Sequence, residues 1–306
     1  MEELRHYVEE EFFPRPVADE LRRAIDAGSR LIHVQGPYLS GKRWVAAHVL
    51  RQRRDEQIVW VDARGVDEPS HVARQVSAEA GVAHAKFVGN ARELTSFVST
   101  ILTRPTVLVW RHAEDLDEQD GHRLDVRHAI RSWVTAGARG GEFTNLVQIV
   151  LSATGPGYYF TNVADARLRM ADLDVTAAAA FAKHLGRSVD PNVMAALHRA
   201  IGGHLHYLEL ALRTKALPLE DLCIQPLDKR GPFYDHYVRF GRWLRTQDFK
   251  ELSLVKGLLH GGPLPAGKLG EELVERGVVL PEDGTIRYGI FRAFLEEFAR
   301  QESFGA

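Results

Sequence analysis

The sequence predicts an α/β protein with a parallel sheet in its first half, helices after it and a winged helix at its end. Three observations predict this. Short apolar runs alternate with helical periodicity from Val17 to Thr154, as in strand–helix–strand units. A glycine-containing loop, Gly36 to Arg43, sits between a strand pattern and a helix pattern. From Phe233 onward the order is helices, a hairpin, then a final helix.

The elements follow in order. Val17 to Ala27 is amphipathic and ends at Gly28-Ser29, and Arg30 to Gln35 is a short buried strand. After the loop a helix runs from Lys42 to Arg53. A second strand, Gln57 to Val61, ends at Asp62. Pro69 to Ala80 and Ala91 to Thr103 are helical. A third strand, Thr106 to Trp110, ends at Arg111-His112. A helix from Gly121 to Ala136 meets the Gly-rich turn at 137–141, and the fourth strand, Leu146 to Leu151, ends at Ser152-Ala153-Thr154. Beyond Gly155-Pro156-Gly157 the pattern is helical. Thr176 caps an Ala-rich helix that ends near Gly186, and Asp190-Pro191 pairs an N-cap with proline at the first helical position. That helix runs to Ile201, where Gly202-Gly203 stops it, and His204 to Lys215 follows. Pro218 and Pro226 mark a linker. Helices at Tyr234–Leu244, Phe249–Leu259 and Ala266–Arg276 lead to a hairpin turning at Asp283-Gly284, then to the helix Phe291–Arg300. The expected domains are 1–157, 158–226 and 227–306.

Composition narrows the function. The 306 residues carry a net charge of −2, so no global field recruits nucleic acid or an anionic membrane. One cysteine, Cys223, gives neither a disulfide nor a zinc framework. The start, MEELRHYVEEEFF, lacks the build of a secretory signal, and no apolar run reaches membrane-spanning length. A cytoplasmic protein is expected.

Gly36-Pro37-Tyr38-Leu39-Ser40-Gly41-Lys42-Arg43 matches the phosphate-binding pattern G-x-x-x-x-G-K up to its last letter. Gly36 and Gly41 free the backbone to close on phosphate oxygens, and Lys42 reaches the terminal phosphates. Arg43 stands where Ser or Thr would help hold Mg²⁺. The third strand presents Arg111-His112 at its end, where a metal-holding carboxylate is needed, and Glu114 and Asp115 lie beyond it. Two readings remain open. Arg43 and Arg111 contact phosphates in place of the ion, or they pair with local carboxylates such as Asp62 and Asp115 in a relic pocket.

The order of parts resembles the AAA+/STAND class of P-loop ATPases, with ORC-like and bacterial signalling members nearest. The opening YVEEEFFPRPVADELRRAIDAGSRLIHVQGPYLSGKRW and the segment Gly202-Gly203-His204-Leu205-His206-Tyr207-Leu208 carry the resemblance, with Leu205 in place of the family's proline. It implies a P-loop NTPase parallel sheet with a helical lid and a C-terminal winged-helix domain. It also implies ATP or ADP as ligand, here without Mg²⁺, and Ser152 and Thr154 where the family senses the γ-phosphate; equally, those two residues simply end the strand. Gly36, Gly41, Lys42, Arg43, Arg111 and Ser152 are therefore the candidate nucleotide-binding residues.

No catalytic residue stands out, no metal site is expected, and Gly-x-Ser-x-Gly is absent. His33 reads as a satisfied strand histidine and Cys223 as a buried inert thiol. Tyr158-Tyr159-Phe160 is either packed against the lid or a partner-binding tip. Residues 226–306 carry twelve basic and twelve acidic side chains, and Glu271, Glu272 and Glu275 face the place of a recognition helix, so DNA contact has little support beyond a stripe of Arg239, Arg242 and Arg245. The expectation is a degenerate AAA+/STAND-like module, a signalling or scaffold subunit with protein partners or further copies of itself. The alternatives are an active ATP-dependent switch and a DNA-associated ORC- or transposition-regulator-like ATPase.

Overall fold

The computed structural model describes residues 8–82, 88–102, 104–117, 121–153, 159–215, 217–246, 249–280 and 282–304. The chain forms two compact units: Met1–Gly36 with Lys42–Met170, and Pro37–Gly41 with Ala171–Ala306.

In the first unit, α1 (Pro16–Asp26) starts with proline in the first turn and buries Val17, Leu21 and Ile25 along one stripe. β1 (Leu31–Gln35) leads to the loop and α2 (Lys42–Arg51). β2 (Gln57–Asp62), α3 (Pro69–Ala80), α4 (Ala91–Ile101) and β3 (Thr106–Arg111) follow. Then come α5 (Gly121–Ala138), β4 (Leu146–Ser152), α6 (Tyr159–Val163) and β5 (Ala166–Arg169).

All pairings are parallel, in the order β2-β3-β4-β1-β5. The strands are apolar on both faces because both faces are covered. Ile32, Val34, Trp60, Val107, Val109, Ile149 and Leu151 join α1 and α2 in one core. Leu31, Val59, Val61, Leu108, Trp110 and Val150 join α3, α4 and α5 in the other. One polar bridge crosses this second core. Gln148 accepts from Trp110 Nε1 at 3.2 Å and donates to the Ile130 carbonyl at 3.2 Å, so its buried amide is paired at both ends.

The second unit is helical: α7 (Val175–His184), α8 (Pro191–Ile201), α9 (Leu205–Arg213), α10 (Leu219–Ile224), α11 (Tyr234–Leu244), α12 (Phe249–Leu259), α13 (Lys268–Glu275) and α14 (Gly289–Phe304). Gly203 is required where α8 turns into α9: a Cβ there would lie 2.0 Å from the Leu173 carbonyl oxygen.

Several expectations change. Asp174, not Thr176, caps α7, its carboxylate accepting from Ala177 N at 2.7 Å. The stretch between Pro218 and Pro226 is the helix α10, and Cys223 in it is half-buried. The expected hairpin is present but short: the antiparallel bridge Val279 to Ile286 is flanked by Leu280 N to Thr285 O at 2.8 Å and Arg287 N to Val278 O at 2.9 Å. The fifth strand was hidden because its exposure alternates over only four residues. Thr154 and Tyr158 lie outside the described residues, while Phe160 is fully buried in the core beneath α5.

Trp110→Ala removes a fully buried ring and leaves the Gln148 side-chain oxygen without its donor. A loss of about 3–5 kcal/mol in unfolding free energy is expected from urea titration.

Candidate functional site

Because the sheet is parallel, Gln35, Asp62, Arg111 and Ser152 end their strands on one edge. β1 lies between β4 and β5, while the chain leaves it for the far edge of the sheet at β2. In open α/β sheets such carboxyl ends are where ligands bind.

Gly36 N donates to the Ser152 carbonyl at 3.3 Å, joining the start of the loop to the end of β4. Farther along, the loop turns through Ser40 N to Pro37 O at 3.2 Å, with Leu39 (φ 60°) and Gly41 (φ 90°) both left-handed. That conformation suits glycine and strains leucine. Lys42 opens α2 and folds back, its Nζ donating to the Gly36 carbonyl at 2.7 Å. Burial lowers its ammonium to about 8, against the opposing charge of Glu114. Arg43 is exposed on the first turn of α2.

The end of β3 is a knot of charge around Asp62. Arg111 Nη2 lies 3.1 Å from Asp62 Oδ2, and His112 Nδ1 lies 3.0 Å from Oδ1. Arg64 donates to both oxygens through its backbone N, Nε and Nη2. Gln75 fixes the backbone of Asp62 by bonding its N and its O. Burial pushes the Asp62 carboxyl up, but the hydrogen bonds from Arg64 and the pull of His112 outweigh it and hold the group at about 2.

His112 is left-handed (φ 52°), and the chain passes straight into a 3-10 helix over Ala113–Asp117. That turn buries Glu114, whose Oε2 accepts from Ala153 N at 2.9 Å. The acid closest in kind to a metal-holding carboxylate thus arrives three residues past the strand, tied to the backbone that follows β4.

Ser152 is buried, and its hydroxyl belongs to a directed chain. Thr161 Oγ1 lies 3.3 Å from His33 Nδ1, and His33 Nε2 lies 2.7 Å from Ser152 Oγ, which donates to the Ala153 carbonyl at 3.0 Å. Gln35 Nε2 also donates to Thr161 Oγ1, at 3.0 Å. Burial first, and Arg167 second, push His33 down to about 4, so the ring is neutral at pH 7 and one tautomer satisfies every bond. Thr161 was the residue missed in the sequence, and Glu114 was seen there only as an acid beyond the strand end; only the apolar context of His33 hinted at this network.

Within the second unit, His204 Nε2 donates to the Tyr38 carbonyl at 2.8 Å, and Leu205 Cδ2 lies 3.3 Å from where a Cβ on Gly41 would be. A Cβ on Gly277 would lie 2.8 Å from Pro37. Burial lowers His204 to about 4, with the Tyr38 hydrogen bond opposing it.

Among the described residues no group of three His, Cys, Asp or Glu side chains could hold a metal ion, and no helix is long and apolar enough to cross a membrane.

No protein-family model matches the sequence, and no curated protein matches it. Solved structures do match. A Walker-type ATPase of Pyrococcus abyssi superposes with a TM-score of 0.65 at 12% identity, covering 95% of this chain and 97% of that one. The fold is that of the ORC-like P-loop ATPases. ORC2 of Aeropyrum pernix, in complexes with ADPNP and ADP, gives a TM-score of 0.58 at 10% identity over 94% of each chain. ORC1 of the same organism, in complex with DNA, gives 0.53 at 14% identity over 96% of this chain and 94% of that one. At these identities the likeness extends to the fold and not to activity.

Two pH effects follow. In the unfolded chain a histidine protonates near 6.5, whereas folded His33 resists protonation until about 4. Stability is therefore full above pH 6.5 and falls as pH drops from 6.5 towards 4, by up to about 3 kcal/mol for this group. Urea midpoints measured at pH 7 and 4.5 should differ less in His33→Gln than in the wild type. Lys42 acts at the other end. Unfolded it holds its proton to 10.5, folded only to about 8, so stability should rise between pH 8 and 10.5 and rise less in Lys42→Met.

Proposed function

We propose that this chain is a non-hydrolysing P-loop module, a signalling or scaffold subunit within a larger assembly. The observation that carries the reading is the Asp62 knot. An ATPase of this fold needs oxygen ligands for Mg²⁺ beside the loop. Here position 43 offers no hydroxyl, and both Asp62 oxygens already receive Arg64, Arg111 and His112. Glu114 spends one oxygen on the Ala153 backbone. A divalent ion at the end of β3 would also meet the permanent charge of Arg111 at close range. The residues present do not fit the metal.

They fit a nucleotide better. Gly36, Gly41 and Lys42 retain the phosphate-loop build, and the ORC2 relative is seen with ADPNP and ADP. ATP or ADP would bind to the loop without Mg²⁺ once Lys42 leaves the Gly36 carbonyl. Arg111 is held by Asp62, so it contributes charge and not a phosphate contact; Arg43, exposed on α2, is the guanidinium that reaches the ligand. The helical lid, and a winged helix after residue 226, complete this reading as the parts that contact protein partners.

A second reading keeps slow hydrolysis, with Glu114 as the displaced acid; its electrostatic coupling to Lys42 favours it. ATPase assays and calorimetry separate the two. The wild type should hydrolyse ATP no faster than Lys42→Ala, and its ATP affinity should not change when EDTA replaces Mg²⁺. A Mg²⁺-dependent rate abolished by Lys42→Ala would establish the second reading instead.

A further inference from the structure

In the second unit a groove of about 1000 Å³ opens between the first turn of α11, one side of α14 and the segment 225–230. That segment is a folded wall: Asp228 N donates to the Gln225 carbonyl at 3.2 Å, and Gly231 N to the Asp228 carbonyl at 2.8 Å. Tyr234 and Tyr237 stand one helical turn apart on α11, their rings 6.2 Å apart and tilted by 49°. Pro226, Leu227 and Ala293 supply the apolar lining. Tyr237 is 4% exposed, and its hydroxyl, shielded from water, has no hydrogen-bond partner among the described residues. A buried polar group left alone in this way is costly. Burial first, and Glu297 second, keep its proton in place, so it is a donor without an acceptor. Glu297 and Arg300, two of the charges that act on it, also line the groove.

The charges of the groove exclude several ligands. Arg230 forks onto Asp228 through Nε and Nη2, both at 3.0 Å, and Arg300 onto Glu297 at 2.9 and 2.6 Å. Both guanidiniums are thus spent, and the carboxylates beside them repel phosphate. No strand lines the groove for a peptide to extend, and its apolar lining is too small to bury one face of a helix. We propose that this groove binds a proline-rich, extended segment of a partner protein with a basic residue at one end. Such a segment is preformed, carries few N–H groups of its own, and offers carbonyls to Tyr237 and flat rings to Tyr234. A carbonyl reaches the Tyr237 hydroxyl as the exposed ends of Arg300 and Gln301 shift aside. Glu296 receives the basic residue: its own partner, Arg292, is as exposed as it is and 3.8 Å away, a pair that exchanges easily. The inference rests on the partner-directed role proposed above and names the class of partner.

The test is fluorescence anisotropy of the full chain with a labelled peptide of about ten prolines ending in one arginine. An all-proline peptide and a Gly-Ser peptide ending in the same arginine serve as comparisons. The wild type should bind the first with a Kd below about 1 mM and the Gly-Ser peptide more weakly. Tyr234→Ala should weaken binding about fivefold or more, and Tyr237→Phe about two- to tenfold. The Tyr237 hydroxyl has no partner to lose, so the unfolding midpoint of Tyr237→Phe should equal or exceed that of the wild type, and its weaker binding reports a lost contact. Glu296→Lys should weaken the arginine-bearing peptide and leave the all-proline one unchanged. No nucleotide is present, so ATP hydrolysis by this chain would leave these results untouched, and failed binding would leave the chemistry of the loop as proposed. The proposal is overturned by no saturable binding, by the Gly-Ser peptide binding as tightly, by unchanged affinity in either tyrosine variant, or by Glu296→Lys leaving the arginine-bearing peptide unaffected.

Discussion

The charge cluster on Asp62 governs what the carboxyl edge of the sheet can do. Asp62 ends β2 beside the last residue of β3, so parallel pairing places Arg111 directly opposite it. The pair is half-shielded from water and reinforced by Arg64 and His112, which makes it costlier to break than an exposed ion pair. Gln75 of α3 fixes the backbone beneath it. An edge that in a metal-using ATPase gathers unpaired carboxylates here has its acid already neutralised from three sides.

Everything nearby is arranged around that neutralisation. The left-handed His112 both reaches Asp62 and turns the chain so that Glu114 is buried. Glu114 then provides the opposing charge that partly offsets the burial of Lys42. Lys42, for its part, is bonded to the carbonyl that begins its own loop. The His33–Ser152–Thr161 chain fixes the end of β4 with neutral groups only. Asp62, Arg111, Glu114, Lys42 and Ser152 are thus each held by another protein group. That is why the proposed role is structural and partner-directed rather than chemical.

Much of this was legible in the sequence. The strands announced themselves as apolar runs because parallel strands are buried on both faces, and the loop by its two glycines and Lys42. The departures at Arg43 and Arg111 were visible as residue types in the wrong place. Their consequences were not, because they depend on pairings between distant positions: Asp62 with Arg111, Ala153 with Glu114, His33 with Ser152. β5 escaped notice because Ala166 to Arg169 alternates in exposure like a loop edge, and α10 because flanking prolines read as a linker. The aromatic run after β4 resolves in part: Phe160 is core and offers no contact tip.

The most direct test of the central claim is a crystal structure of the full chain grown with ATP and Mg²⁺. The expected result is an intact Arg111–Asp62 pair, Glu114 still on the Ala153 backbone, and no metal ion at the end of β3, whether or not nucleotide occupies the loop. A Mg²⁺ ion coordinated by Asp62 or Glu114, with Arg111 swung away, would contradict it.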